Sequence, residues 1–301
     1  MPNAWRMNKS IILPKSGKFQ SMTDNNSVTM DINNYRPITI SSILCRIHHR
    51  IVLSILRQNV DVPDSQFAFS NFSTSLCIKA VQLLRNYAVR HQQRQYMAFL
   101  DVRSAFDTLN QSCISSILKK RGCPEYIVSY ILDSYRNSST YFATAQGTTD
   151  NIPIRNGVKQ GDPLSTFIFA ICLSEATREL QPEQHGFLHK SVSISHLAYA
   201  DDLVIVANTV RKLQAAIDHI VPRLASLGLS LSPAKCMTTG VNFVQGYKKL
   251  QTESVISINN FAVPASVDQK HIKYLSRTPF ARNSMNSILN GLSNQIYLLH
   301  L

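Results

Sequence analysis

Three aspartates carry the chemistry this sequence offers. Asp201 and Asp202 stand side by side within "HLAYADDLVIVAN" (196–208), which otherwise reads as buried strand, and Asp101 lies near the end of the apolar stretch "YMAFLDV". Burying one carboxylate is costly without a positive partner, and two adjacent ones also repel each other. Two arrangements satisfy the pattern: an exposed Asp-Asp turn beside an unrelated strand-end aspartate, or a shared cation site. If the two strand elements are neighbours in one sheet, all three carboxylates meet at its end and offer the oxygen ligands that Mg²⁺ prefers. Two such ions about 3.5–4 Å apart would stabilise the attacking and leaving oxygens of an in-line phosphoryl displacement.

The elements around these residues are legible from spacing. "SISHLAYADDLVIVA" reads as strand, two-residue turn, strand, and 96–102 as a separate strand. "GDPLSTFIFAICL" predicts a helix with Asp162 as N-cap, Pro163 as first helical residue and an inward stripe of Leu164, Phe167/Ile168 and Ile171/Cys172. Leu213, Ala216/Ile217, Ile220/Val221 and Leu224 predict another helix, kinked or started late by Pro222 and closed by Gly228. Upstream, residues 1–40 form a basic β-hairpin candidate from "SIILP", "KSGK" and "YRPITI". From Ile43 the apolar positions Ile43/Leu44, Ile47, Ile51 and Ile55/Leu56 follow helical spacing, with Arg46, His49, Arg50 and Arg57 largely on other faces. A second helix runs through "SLCIKAVQLLRNYAVRH". "SCISSILKKRG" and "EYIVSYILDSYR" read as amphipathic helices, so an α-rich basic third is followed by an α/β arrangement without repeats.

Composition narrows the partners. A chain of 301 residues, 44% hydrophobic, can bury one large or two ordinary cores. Its net charge of +13 favours a polyanion, with nucleic acid as the leading candidate. Cys45, Cys77, Cys113, Cys123, Cys172 and Cys236 show no CxxC pair and no Cys/His metal spacing, so a zinc knuckle or disulfide framework is not expected and a reducing compartment is. No run of about 18 apolar residues is present and the N-terminus lacks a signal-peptide core, so neither membrane insertion nor secretion is expected.

The order "FLDVRSAFDTLN", "GVKQGDPLSTFIF", "AYADDLVIVA", "SLGLSLSPAKC" and "IKYLS", with "IILPKSG" and "NYRPITISSILCRI" upstream, resembles reverse transcriptases. It is most similar to those of non-LTR retrotransposons of the clade that inserts into ribosomal RNA genes, over about residues 10 to 278. The resemblance implies an α+β right-hand polymerase fold, with helical fingers and an antiparallel palm sheet. Fingers would span 1–95, a first palm part 96–110, a fingers/palm connection 111–155, the palm 156–280 and the start of a truncated thumb 281–301.

It also implies roles. Asp101 and Asp201 become the principal metal ligands, with Asp202 as a weaker third, for two Mg²⁺ ions or Mn²⁺ in their place. Phe106, five residues after Asp101, takes the place of the steric gate against a ribose 2′-OH, while Asp107 reads as a local cap or turn carboxylate. Gln160 and Gly161 face the incoming nucleotide, and Lys15 and Arg36 clamp its triphosphate. Lys235 stands near the pyrophosphate as general acid or charge stabiliser. Tyr274 and Leu275 form the primer grip.

The chain departs from the family at Ala68 in "QFAF" and Ser276 in "YLS", each replacing a glycine, and at Thr166, where proline is usual. The implied activity is RNA-directed DNA polymerisation on an RNA template, with a DNA primer and deoxynucleotides. Missing endonuclease and nucleic-acid-binding regions would lie in a parent polyprotein, located in the nucleus or cytoplasm, with the nucleus expected for the full element. Two rivals share these motifs: a degenerate copy that binds RNA without chemistry, and a related polymerase, either maturase-like or RNA-synthesising; the bulky Phe106 and the "AYADD" and "GVKQGDPLS" strings argue against the RNA-synthesising version.

Overall fold

The computed structural model describes residues 1–14, 35–68, 73–144, 147–251, 255–266 and 274. In chain order the strands are β1 (Met7–Pro14), β2 (Tyr35–Ile40), β3 (Gln95–Asp101), β4 (Ser139–Thr144), β5 (Gly147–Thr148), β6 (Ile152–Pro153), β7 (Phe187–His189), β8 (Val192–Ile194), β9 (His196–Tyr199), β10 (Asp202–Ala207), β11 (Met237–Val244), β12 (Tyr247–Leu250), β13 (Ser257–Ile258) and β14 (Phe261–Ala262). The helices are α1 (Ile43–Asn59), α2 (Thr74–Arg90), α3 (Ala105–Thr108), α4 (Gln111–Lys120), α5 (Glu125–Tyr135), α6 (Pro163–Thr177), α7 (Pro182–His185) and α8 (Val210–Ser226). Among the described residues no helix is long and apolar enough to cross a membrane. Two compact units divide the chain: Met1–Asp61 with Phe106–Ile171, and Val62–Ala105 with Cys172–Leu301.

In the first unit β1 pairs antiparallel with β2, from Lys9↔Ile40 to Pro14↔Tyr35, and parallel with β4. The inward side of β1 is polar: Asn8 and Ser10 are buried, and Ser10 Oγ lies 3.1 Å from Thr39 Oγ1 and 2.7 Å from Thr140 Oγ1. Each buried hydroxyl therefore has a partner, which removes the desolvation penalty of placing it there.

Helix α1 begins where Ser42 accepts a hydrogen bond from the Cys45 amide. Its buried stripe is Cys45, His49, Val52 and Leu56. This corrects the reading from apolar spacing, because Ile43, Leu44, Ile47 and Ile51 are 74%, 65%, 52% and 55% exposed. Two stripes of this helix share the same 3.6-residue period, and a buried hydrogen-bonded histidine decides between them.

In the second unit the sheet runs β12-β11-β3-β10-β9, antiparallel at every pairing. Its central strands β3 and β10 carry continuous apolar runs because both faces are covered there, as the fully buried Met97, Val204, Ile205 and Val206 show. Helix α2 contributes Cys77, Ile78, Val81 and Leu84 to the same core as Met97, Phe99 and Val204. Residues 62–95 therefore belong with the aspartate strands, and 156–171 with the other unit, so the compact units divide the chain at other places than the motif-based boundaries.

Helix α8 starts at Val210 behind the N-cap Thr209, so Pro222 lies inside it and does not start it. The turn after it contains Gly228 at φ +77°. The segment 281–301, read as the start of a thumb, lies outside the described residues.

Candidate active site

The hairpin β9–β10 closes through Ala200 and Asp201, since Tyr199 pairs with Asp202. Ala200 takes φ +53°, while Asp201 is absent from the positive-φ residues. A positive φ at only the first central position is the habit of a type II′ turn, which matches strand twist but normally asks for glycine. Asp202 then opens β10 directly opposite Asp101 at the end of β3. Directly opposed residues project to the same face with Cβ atoms about 5 Å apart. The pairing thus places Asp202, rather than Asp201, across from Asp101, with Asp201 in the adjoining turn.

Lys235 is brought to this sheet end by the segment after α8. The Arg103 amide donates to Ser230 O at 2.8 Å, Val102 forms a bridge with Leu231, and the Ser232 amide donates to Asp101 O at 2.9 Å. The chain then turns, with the Lys235 and Cys236 amides donating to Ser232 O at 2.9 and 3.1 Å. The Asp101 amide donates to Cys236 Sγ at 3.4 Å, and burial pushes that thiol up to about 11. Lys235 Nζ ends 3.8 Å from Asp101 Oδ2, with the lysine side chain 67% and the aspartate 44% exposed. Such an open pair contributes little to stability. It leaves oxygen ligands facing solvent at the sheet end, and this donor set fits a hard divalent cation.

Tyr274 is buried, with its ring 5.6 Å from Phe99 and its hydroxyl 3.1 Å from Cys77 Sγ. Its side chain is therefore committed to the core of the second unit, and only its backbone is left to serve a grip. Leu275 and Ser276 lie outside the described residues.

The other sequence-predicted residues fall in the first unit. Phe106 stacks on Phe169 with ring centroids 4.8 Å apart. Arg36 is exposed on β2 opposite Leu13, and Lys15 lies outside the described residues. Gln160 O accepts from the Thr39 amide at 2.7 Å. Gly161 adopts φ +113°, and a Cβ there would come within 2.8 Å of Thr39 O, so β2 itself requires glycine. Gln160, Lys159 and Asp107 help to line a pocket of about 200 Å³ with Ser10, Thr39 and Thr140.

Behind this loop is a buried polar cluster that sequence reading missed. Asp162 caps α6 by accepting from the Leu164 amide at 2.9 Å, as its position predicts, and also receives His49 Nδ1 at 2.6 Å and Ser41 Oγ at 3.3 Å. Burial alone would raise its pKa, but His49, Lys159 and the Leu164 amide hold the carboxyl below its ordinary range. An ionised carboxylate only accepts, so His49 Nδ1 carries the proton.

His49 Nε2 lies 3.6 Å from Cys45 Sγ, a thiol that burial pushes up to about 11. The Lys159 ammonium is buried, sits 5.5 Å over the Tyr135 ring and is lowered in pKa by burial, against the pull of Asp162 and Cys45. Cys45, His49 and Asp162 are close enough to ligate a metal. Yet the carboxylate already holds a histidine proton and faces a buried cation, so the cluster reads as self-satisfied. The signal available beforehand was the Cys-x₃-His spacing on α1, which puts Cys45 and His49 on one helix face.

The family described as "Reverse transcriptase (RNA-dependent DNA polymerase)" matches residues 14–278. The retrovirus-related Pol polyprotein from type-1 retrotransposable element R2 of Popillia japonica is 30% identical over 280 residues, which is 91% of this chain and 38% of that protein. Its counterpart from Nasonia vitripennis is 33% identical over 231 residues, 75% of this chain and 22% of that protein. The chain thus spans well under half the length of these relatives. Among solved structures, telomerase from Candida tropicalis in complex with a TWJ fragment of telomeric RNA has a TM-score of 0.54 at 14% identity, covering 78% of this chain and 41% of that one. That likeness supports the α+β polymerase fold.

Proposed function

The chain belongs to the reverse transcriptase family, and from this premise we propose that it carries the RNA-directed DNA polymerase centre of a non-LTR retrotransposon polyprotein. The observation that carries the reading is the β3–β10 register, which sets Asp202 opposite Asp101, with Asp201 in the turn and Lys235 beside the same sheet end. In this reading Asp101, Asp201 and Asp202 hold two Mg²⁺ ions. Bound there, the ions supply neutralisation of the charge that develops on the transferred phosphoryl group.

The chain's own groups do the rest. Lys235 places a proton donor or positive charge near the pyrophosphate as the primer 3′-oxygen attacks the α-phosphate. Phe106, backed by the stacked Phe169 ring, excludes a 2′-OH. Arg36 pairs with the triphosphate, and the Gln160–Gly161 loop, tied to β2 through Thr39, meets the nucleotide and template base. An RNA template and a DNA primer are the polyanions that the +13 charge serves.

The test is primer extension on an RNA template with each nucleotide set and with Mg²⁺ or Mn²⁺. Deoxynucleotide addition that disappears with Asp201→Asn supports the reading. Extension that persists in that variant, or that uses ribonucleotides equally well, sinks it.

A further inference from the structure

We propose that Gln66 is a positioning residue for the aspartate turn: its side-chain amide acts as a substitute strand that holds Ala200 in its left-handed conformation. This inference rests on the metal-binding reading of Asp101, Asp201 and Asp202 given above. Gln66 is 1% exposed and belongs to the same compact unit as the turn. Its Oε1 accepts from the Ala200 amide at 2.9 Å and from the Ala68 amide at 3.3 Å, while its Nε2 donates to Ala200 O at 3.4 Å. One side chain therefore brackets both backbone groups of the one turn residue at positive φ, immediately before Asp201.

A left-handed alanine is strained and persists only where its surroundings over-determine it. Those surroundings extend beyond the amide. The Ala198 amide donates to Ser65 O at 2.7 Å, the Phe67 amide donates to Ala198 O at 2.8 Å, and Gln66 bridges Ala198 in parallel. Residues 65–67 thus run along the outer edge of β9, and the Gln66 side-chain amide continues that pairing past the strand end, onto Ala200. Only a primary amide offers an acceptor and a donor in one plane as a peptide does, and asparagine is one methylene shorter. The strain matters because the φ of Ala200 sets the direction in which Asp201 leaves the hairpin, next to the Asp101–Asp202 pair.

The experiment uses the 301-residue chain with Gln66→Met, which keeps the volume and loses both bonds, and Gln66→Glu, which keeps the acceptor alone. Amide hydrogen exchange is read at Ala200 and, as a control, at the central β10 residues Val204 and Ile205. Mn²⁺ affinity is read by paramagnetic resonance, with Asp201→Asn as the reference for the site.

For Gln66→Met we expect exchange at Ala200 to accelerate about tenfold with β10 unchanged, and Asp201-dependent Mn²⁺ binding to weaken about tenfold. Gln66→Glu should retain most of the Ala200 protection. Unchanged exchange at Ala200, uniform loss along β10, or Mn²⁺ affinity equal to that of the unaltered chain would each overturn the positioning role. Mn²⁺ binding that is the same with and without Asp201 would instead overturn the metal reading on which that role rests.

Discussion

Asp162 and Asp101 are two aspartates placed under opposite rules. Asp162, in the first unit, is 3% exposed and receives a histidine, a serine and a backbone amide, so its charge is balanced within the protein. Asp101, in the second unit, keeps 44% of its side chain exposed, and Lys235 stands at 3.8 Å, beyond hydrogen-bond length. A carboxylate that the fold satisfies holds structure together. One left facing solvent beside two others on a sheet end is open to a ligand, as the proposed function requires. Adjacency in sequence does not distinguish them, because Asp162 sits within the family string "GVKQGDPLS" and yet its side chain is spent internally.

The sharpest way to break this contrast is substitution on each side of it. Asp201→Asn should lower primer extension by more than about 1000-fold, while RNA affinity in a filter-binding titration stays within about twofold, because phosphate contacts from the basic surface supply that affinity. Equal loss of both would mean that the turn aspartate is structural like Asp162.

Asp162→Ala should act in the opposite sense. Removing one member of a buried pair leaves the His49 proton and Lys159 uncompensated, at a cost of about 3–5 kcal/mol in urea unfolding, whereas Asp101→Ala should change stability by less than about 1 kcal/mol. Comparable losses from the two substitutions would erase the distinction.

Phe106→Val should raise ribonucleotide use relative to deoxynucleotide use by about tenfold or more, measured as the ratio of single-addition efficiencies. Because Phe106 packs on Phe169, some stability will be lost as well. The ratio isolates the gate from that loss, and an unchanged ratio in an active variant would assign Phe106 to packing alone.

The smallest effect is on acid stability. The Asp162 carboxyl is lowered in the folded state from an ordinary 3.8, so its stabilisation is fully present above that value and lost as pH falls through the lowered one. Urea midpoints measured below pH 4 should therefore drop less steeply in Asp162→Asn, a variant already less stable at neutral pH. A parallel drop would place the acid sensitivity elsewhere.

Much of this molecule was written locally. The alternation around "AYADDLVIVA" determines a strand, a two-residue turn and a strand, because turn chemistry and side-chain period act over a few residues. Asp162 and Pro163 determine a helix start for the same reason, and α6 begins there. The motif order determined the family. Where two local readings were equally good, tertiary structure chose. The sequence of α1 supports two stripes, and the bond from His49 to Asp162, 113 residues away, decided which one is buried.

The register that sets Asp202 against Asp101 is likewise a property of two strands about 100 residues apart. Ala68, which stands where the family has glycine, does not take a positive φ, and its amide bonds Gln66 Oε1, so the backbone there does not demand glycine. Gln66 meets Ala200 across 134 residues. Propensity and periodicity describe what one segment prefers. A long-range hydrogen bond depends on where two preferences meet, and only the assembled backbone determines that.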